Sequence, residues 1–304
     1  MHIAFVIDLL AFEGLGTTLT SLVRNCGDTE KLTLHFLCSD VTPKHKNNIL
    51  RLLEEEAYRG NTEFHDFDAP KTFGHLISLH GNWTTYGKFL IPDVVKAEYV
   101  LYLDTDLLIL TDVLKLQDIR FNDHFLAAAP RGPFKNALER KFLVDKLGLD
   151  GEARCFNAGV LLLNLKVWRE KNIHAEVERI CKEHPMEFQS ADQTVLNAIC
   201  AGTFHHLDGR FNNIWTPEQQ PATETSNVIF HFAGSPKPWD FFGKVVHSGY
   251  TIWTDYDTNF WDAQYKKLTG AKLHRTWKIR RSLAKHYLKR FRSAKAPAVA
   301  TAAK

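Results

Sequence analysis

The stretch YVLYLDTDLLIL, from Tyr99 to Leu110, places two aspartates inside an otherwise apolar run. An ionised carboxylate that leaves water is costly unless a cation or hydrogen-bond donors meet it. Side chains two residues apart on a strand point the same way, so Asp104 and Asp106 can present both carboxylates at the strand's end. Mg²⁺ and Mn²⁺ prefer such oxygen ligands, and the pattern therefore indicates a divalent cation site. Two solvated aspartates in a turn are the other interpretation of this motif alone.

Apolar runs alternate with helical patterns along the chain and predict an α/β fold. HIAFVID ends on Asp8 before the helix-like TTLTSLVRN, and KLTLHFLCSD precedes a helix that starts at Thr-Pro. Further strands are predicted in CFNAGVLLLNL and NVIFHF, with helices from Lys166 to His184 and after Ser190. Ligands bind at the carboxyl ends of strands in open α/β sheets, which is where this pattern puts Asp8 and Asp104.

Composition indicates a globular protein of the cytoplasm. The chain has 304 residues, 44% of them hydrophobic, which is sufficient for a substantial core. It contains no run of about 20 apolar residues, and its first residues lack a basic lead-in and a cleavage site. The five cysteines are odd in number and widely spaced. This spacing predicts reduced structural thiols rather than disulfides or a zinc site.

Charge divides the chain into an acidic body and a basic tail. The net charge is +3, and the residues after Ala271 carry eleven Lys or Arg and no acid, which leaves 3 − 11 = −8 for the body. We expect residues 272–293 to form a basic amphipathic helix on an anionic membrane surface, and residues 294–304 to be disordered. Docking of this helix on the body and nonspecific nucleic-acid binding are the alternatives. Its predicted apolar stripe comprises Leu273, Trp277, Ala284, Tyr287, Leu288 and Phe291.

A second motif, VIFHFAGSPKPWD, strengthens the metal interpretation. His231 ends an apolar run, and Lys237 lies between two prolines after a flexible Ala-Gly-Ser. A histidine can complete a Mn²⁺ site, and a lysine on a stiffened loop offers a point charge to phosphate oxygens.

Four motifs in order, YLDTD, FNAGVLLLNLKVW, ADQTVLN and HFAGSPKPW, resemble glycosyltransferase family 8 over roughly residues 1–250. The resemblance implies a GT-A fold, an open mixed sheet flanked by helices, over residues 1–271. It also implies a UDP-hexose donor, Mn²⁺ or Mg²⁺, and retention of anomeric configuration. Bacterial lipopolysaccharide glucosyl- and galactosyltransferases and glycogenin-like proteins share these motifs.

The resemblance also assigns roles to individual residues. Asp8 should bind the base, Gly234 and Lys237 the diphosphate, and Asp192 with Gln193 should lie beside the anomeric carbon. Lys88 replaces the donor-contacting arginine of the family and lacks its planar fork. LLAFEG after Asp8 lacks the Asp-Asn-Tyr of some members. The assigned metal ligands are Asp104, Asp106 and His231. The assigned donor-binding residues are Asp8, Lys88, Asn157, Ala158, Gly234 and Lys237. The assigned catalytic residues are Gln193, Asp192 and Asp104.

Two mechanisms remain open at this point. Gln193 offers only a neutral carbonyl, a poor nucleophile, which favours front-face substitution within an ion pair. In that mechanism the acceptor hydroxyl loses its proton to the departing phosphate. A covalent intermediate on Asp192 is the alternative.

We therefore expect a cytoplasmic, metal-dependent, retaining hexosyltransferase at the inner face of the membrane, moving glucose or galactose from UDP to a glycolipid such as lipopolysaccharide core. Transfer to a protein or soluble sugar, including the chain itself, is one alternative, and a nucleotide-sugar-binding scaffold without turnover is another. A phosphatase of the haloacid-dehalogenase type is disfavoured, because DTD lies far from the N-terminus. GLGTTL lacks the third glycine of a dinucleotide fingerprint. Adjacent His205 and His206 would point to opposite faces of a strand and make a poor metal site.

Overall fold

The computed structural model describes residues 1–121, 123–219 and 222–295, with the side chains of the last helix described as far as Lys289. Ten strands are found in these ranges. They are β1 His2–Ile7, β2 Thr33–Cys38, β3 Asn61–Asp66, β4 Tyr99–Leu103, β5 Leu107–Leu110, β6 Leu126–Pro133, β7 Arg154–Asn164, β8 His205–His206, β9 Asn213–Ile214 and β10 Val228–His231.

Twelve α-helices and several short 3₁₀ or π-helical segments connect the strands within the described ranges. The α-helices are α1 Phe12–Asn25, α2 Pro43–Glu55, α3 Ala69–Phe73, α4 Ile91–Val94, α5 Leu165–Glu170, α6 Ile173–Glu183, α7 Asp192–Cys200, α8 Gly243–Val246, α9 Tyr250–Thr254, α10 Asn259–Tyr265, α11 Gly270–Lys278 and α12 Arg280–Lys295.

The strands form an open mixed sheet and a small second sheet. The main sheet has the order β3-β2-β1-β4-β7-β6-β8, in which β3, β2, β1 and β4 run parallel and β7 runs antiparallel to both its neighbours. The second sheet has the order β5-β10-β9. A mixed sheet flanked by helices is the predicted fold class, which is confirmed.

Core packing explains why the strands read as continuous apolar runs. Ala4 and Val6 of β1 belong to one buried cluster, whereas Ile3, Phe5 and Ile7 belong to another. Successive side chains of a strand point to opposite faces, so both faces of the sheet are covered.

The motif that contains Asp104 and Asp106 lies where the chain passes from the main sheet to the second sheet. The run predicted as one strand is two, because β4 ends at Leu103 and β5 begins at Leu107 in the second sheet. Asp104 and Asp106 lie in the bend between them. In the antiparallel pair of β5 and β10, Leu107 lies opposite His231, the last residue of β10. This register brings His231 to the two aspartates across more than a hundred residues of sequence.

Two predicted helices are divided in the structure. The helix expected from Lys166 to His184 is interrupted between α5 and α6, where Asn172 adopts a left-handed conformation with φ of 49°. The helix expected over residues 272–293 consists of α11 and α12, which separate at Ile279. The prediction of a disordered segment at 294–304 falls mostly on residues 296–304, which lie outside the described ranges.

The tail helices dock on the body by a face that was not predicted. Leu283 and His286 of α12 are buried, whereas Leu273, Trp277 and Leu288 of the predicted apolar stripe are 52%, 64% and 56% exposed. Docking therefore leaves these three side chains of the stripe in contact with solvent.

Other predictions concern helices, cysteines and one histidine pair. Among the described residues, no helix has the length and apolar character that crossing a bilayer requires. All five cysteines are free thiols, as predicted. His205 and His206 form β8, with His205 half-buried and His206 exposed.

Candidate active site

Asp104, Asp106 and His231 offer ligand atoms that lie within 4.8 Å of one another. The His231 Nε2 atom is 3.2 Å from Asp106 Oδ1 and 3.8 Å from Asp104 Oδ2. His231 is almost fully buried, and the two aspartates are partly exposed at the rim of a cavity. The structure thus brings together the three predicted metal ligands.

A second layer of amides orients His231. Its Nδ1 atom is 3.0 Å from the Asn212 side-chain oxygen, which can only accept a hydrogen bond, while the Asn212 amide donates to Asn157. Nδ1 must therefore carry the proton, and the Nε2 lone pair faces the aspartates. Asn212 was not identified from the sequence, because it ends a short 3₁₀ helix, Gly209–Asn212, outside the recognised motifs.

Gly159 of β7 leaves the space that the cluster occupies. A Cβ atom at this position would lie 2.3 Å from His231 Cε1 and 2.9 Å from Asp104 Oδ2. The Gly159 carbonyl also accepts a 2.8 Å hydrogen bond from the Asp104 backbone amide. The glycine in FNAGV therefore has a packing role that its place in the motif did not reveal.

These residues fit a divalent cation. Asp106 Oδ1 is buried and makes no hydrogen bond, whereas Oδ2 pairs with Lys237 Nζ at 2.5 Å. Burial alone would raise the pKa of Asp106, but the Lys237 ammonium lowers it overall, so the carboxylate is charged. An ionised oxygen without a partner, next to an imidazole lone pair, is a suitable ligand for Mn²⁺ or Mg²⁺.

Lys88 lies inside the site, with only 5% of its side chain exposed. Its Nζ atom is 2.6 Å from Asp192 Oδ2, 3.5 Å from Asp104 Oδ1 and 4.5 Å from the centroid of the Tyr102 ring. Burial alone would lower the pKa of Lys88, but the two carboxylates raise it overall, so the ammonium is charged. Tyr102 was not identified as a site residue from the sequence. In the structure its hydroxyl donates a 2.5 Å hydrogen bond to Asp104.

Asp192 and Gln193 start α7 and are held by side chains from other elements. Asp192 accepts hydrogen bonds from Thr85 on one oxygen and from Lys88 on the other. The Gln193 amide donates to Glu139 at 2.9 Å. Its carbonyl oxygen accepts from the Asn157 side chain at 3.0 Å and from the Ala158 backbone amide at 3.3 Å. Gln193 therefore forms one hydrogen-bond network with the predicted sugar-contacting residues and Glu139, and Asp192 forms another with Thr85 and Lys88.

Asp8 directly follows β1 and caps the 3₁₀ turn Leu9–Ala11. One carboxylate oxygen accepts from the backbone amides of Leu10 and Ala11, and the other accepts from Asn82 and Thr84. Asp8 thus joins the end of β1 to the loop before Lys88. These contacts are structural, and the base-binding role of Asp8 stays a prediction.

The loop after β10 carries Gly234 and Lys237. Gly234 has a φ of +81°, a conformation that side chains rarely adopt. Besides Asp106, Lys237 Nζ contacts the Phe232 carbonyl. A cavity of about 460 Å³ opens beside this loop. Its lining includes Leu9, Leu10, Asp104, Asp106, Lys237, Trp239, Lys272 and Arg275.

A second group of possible metal ligands in the described chain, His35, Glu63 and His65, lies on β2 and β3 at one edge of the main sheet. The His35 ring is hydrogen-bonded to two other imidazoles. Its Nε2 atom is 2.9 Å from His2 Nδ1, and its Nδ1 atom is 3.2 Å from His65 Nε2. Burial lowers the pKa of His35 to about 4, so its ring is neutral at pH 7. Hydrogen bonds between the imidazoles account for this group, and it takes no part in the site.

Known proteins resemble this chain over most of its length. The sequence model of glycosyl transferase family 8 matches residues 2–243. General stress protein A of Bacillus subtilis is 28% identical over 261 residues, which are 79% of this chain and 87% of that protein. Lipopolysaccharide 1,3-galactosyltransferase of Salmonella typhimurium is 29% identical over 184 residues, which are 56% of this chain and 54% of that protein.

The fold also matches a solved enzyme structure. The galactosyltransferase LgtC, in complex with donor and acceptor sugar analogs, superposes with a TM-score of 0.70 at 23% identity, covering 89% of this chain and 98% of that one. This likeness supports the GT-A assignment of the mixed sheet. The family match spans both the aspartate pair and the loop of Lys237. The chain therefore belongs to glycosyl transferase family 8.

Proposed function

We propose that this glycosyltransferase is a metal-dependent, retaining hexosyltransferase that moves glucose or galactose from a UDP-sugar to a cell-surface glycolipid such as lipopolysaccharide core. The observation that carries the proposal is the cluster of Asp104, Asp106 and His231 beside Lys237. Three carboxylates, those of Asp104, Asp106 and Asp192, face two ammonium groups, those of Lys88 and Lys237. The sum, −3 + 2 = −1, favours binding of a cation.

The chemistry of the leaving group gives these charges a role. Cleavage of the bond between sugar and diphosphate leaves negative charge on the phosphate oxygens, and fixed cations stabilise the transition state more than the ground state. A divalent ion held by Asp104, Asp106 and His231 would supply Lewis-acid stabilisation of that charge. Lys237, on the loop after β10, would bind the same diphosphate. Gly234 would allow the backbone to approach it, and Asp8 would hold the base.

Contacts of Asp192 and Gln193 support front-face substitution over a covalent intermediate. Both oxygens of Asp192 already accept hydrogen bonds, one of them from the Lys88 ammonium, which makes the carboxylate a weak nucleophile. The Gln193 carbonyl is held by Asn157 and Ala158. We assign these residues to positioning the donor sugar and to stabilising positive charge at its anomeric carbon. The acceptor hydroxyl would then lose its proton to the departing phosphate.

Turnover of UDP-sugars by the full chain tests the proposal. We expect Mn²⁺-dependent release of UDP from UDP-glucose or UDP-galactose, abolished by a chelator and stimulated by lipopolysaccharide core oligosaccharide. Nuclear magnetic resonance of the product should show retained configuration. A gain of one hexose in the intact mass of the chain would instead indicate self-glycosylation. Saturable binding of UDP-sugars without turnover would indicate a scaffold.

The exposed stripe of the tail supports a position at the cytoplasmic face of the membrane. Trp277 and Leu273 of α11 present apolar surface beside many basic residues, a combination that binds anionic lipid headgroups. We expect Trp277→Ser to weaken cosedimentation with phosphatidylglycerol vesicles severalfold, and phosphatidylcholine vesicles to bind poorly. Leu138→Ser, which removes a 72% exposed leucine from the body, is the matched control. Equal losses in both variants would contradict a specific role of the tail.

A further inference from the structure

The loop that carries Lys237 is held by both tail helices. The Ser282 hydroxyl of α12 donates a 2.7 Å hydrogen bond to the Ser235 carbonyl. Arg275 of α11 pairs with Asp240, three residues after Lys237. The loop is therefore fixed from the side of the tail as well as from β10.

Asp240 connects Arg275 to Lys237. One of its oxygens accepts a 2.5 Å hydrogen bond from Arg275 Nε. The other accepts from Arg275 Nη2 at 3.0 Å and from the Lys237 backbone amide at 2.7 Å. Asp240 is only 9% exposed. Because a buried carboxylate needs its cationic partner, loss of Arg275 would leave Asp240 to move toward water and release the Lys237 backbone.

Helix α11 also forms one wall of the donor cavity. Arg275 and Lys272 line it together with Asp104, Asp106 and Lys237. Each of the two tail cations already has an acidic partner, Asp240 for Arg275 and Glu13 for Lys272 at 3.3 Å. Because both cations are already paired, Lys272 and Arg275 are better suited to holding the cavity wall than to binding phosphate directly.

We propose that Arg275 is a positioning residue of the donor site, which acts through Asp240 to hold Lys237 against the diphosphate of the donor. This inference rests on the proposed function, because it requires a nucleoside diphosphate beside Lys237. The tail is then part of the enzyme's donor site, in addition to any role at a membrane.

Binding of UDP and UMP to the full chain in Mn²⁺ tests this inference. We expect Arg275→Gln to weaken UDP binding about tenfold, as loss of a hydrogen-bonded ion pair does, and to leave UMP binding within about twofold. Arg275→Lys, which keeps the charge, should recover part of the loss. Arg281→Gln removes an exposed arginine of α12 and should bind UDP as the wild type does. Melting temperatures of all variants verify that they fold.

A double-mutant cycle distinguishes positioning from direct contact. If Arg275 acts through Asp240, the losses from Arg275→Gln and Asp240→Asn should not add in the double variant. Additive losses, equal losses for UDP and UMP, or unchanged UDP binding in Arg275→Gln would each overturn the inference. Failure of the wild-type chain to bind UDP would instead refute the proposed function itself, so the two failures are distinguishable.

Discussion

Lys88→Met is expected to lower the free energy of unfolding by about 3 kcal/mol, the cost of removing one partner from a buried ion pair, and to abolish transfer. Methionine fills a similar volume but leaves the carboxylates of Asp192 and Asp104 without their cation. Both the Lys88 and Asp192 side chains are at most 5% exposed, so water cannot replace the lost partner without a change in structure. Urea denaturation at pH 7 measures the stability, and UDP release measures the activity.

A second substitution separates the effect on stability from the effect on activity. Asp192→Asn in the Lys88→Met background removes one of the unpaired charges, and we expect it to recover part of the lost stability while transfer stays absent. Lys96→Met, which changes an exposed lysine shortly after Lys88, should match the wild type in both measurements. A Lys88→Met variant as stable as the wild type would refute the buried-pair interpretation of this residue.

Lys88 also illustrates what the sequence could and could not predict. Its assignment to the site came from the resemblance to the family, in which a donor-contacting arginine stands at this place before the aspartate motif. Its partners could not be predicted, because Asp192 lies 104 residues away and is brought near by packing of α7 on the sheet. The expectation that Lys88 contacts the donor therefore stays a prediction, and its shown contacts are with carboxylates.

Local patterns predicted the strands and the ends of strands well. β1, β2, β7 and β10 match apolar runs, and Asp8 and His231 follow from where those runs end. Non-local pairing was not predictable. The Tyr99 run is divided because β5 pairs with β10, and a glycine is required at position 159 because His231 packs against it. Neither contact produces a periodic pattern in the sequence.

The tail shows a further limit of periodicity. Its helical stripe predicted one apolar face, but docking uses Leu283, His286 and the polar contacts of Arg275 and Ser282. A hydrophobic pattern identifies surface that water disfavours, and cannot identify hydrogen bonds between distant segments. The break at Asn172 has a similar cause, because a single left-handed residue does not disturb the pattern on either side.

Asp106→Asn is expected to reduce turnover about 10³-fold, since the loss of a charged metal ligand removes several kcal/mol of stabilisation from the transition state. The substitution keeps the shape of the side chain. It removes the charge that pairs with Lys237 and the unpartnered oxygen that faces His231. We also expect Mn²⁺ affinity to fall at least about 100-fold, because the cluster loses the charge on its buried carboxylate oxygen that makes no hydrogen bond.

Electron paramagnetic resonance of free Mn²⁺ measures that affinity without reference to activity. Asp118→Asn, which neutralises an exposed aspartate outside the cluster, should bind Mn²⁺ as the wild type does. UDP binding in the presence of a chelator should change little in Asp106→Asn, because Lys237 is still present to meet the diphosphate. If Asp106→Asn retained wild-type Mn²⁺ affinity, the cluster would be a structural ion-pair network, and the charge of the leaving group would have to be stabilised by Lys237 alone.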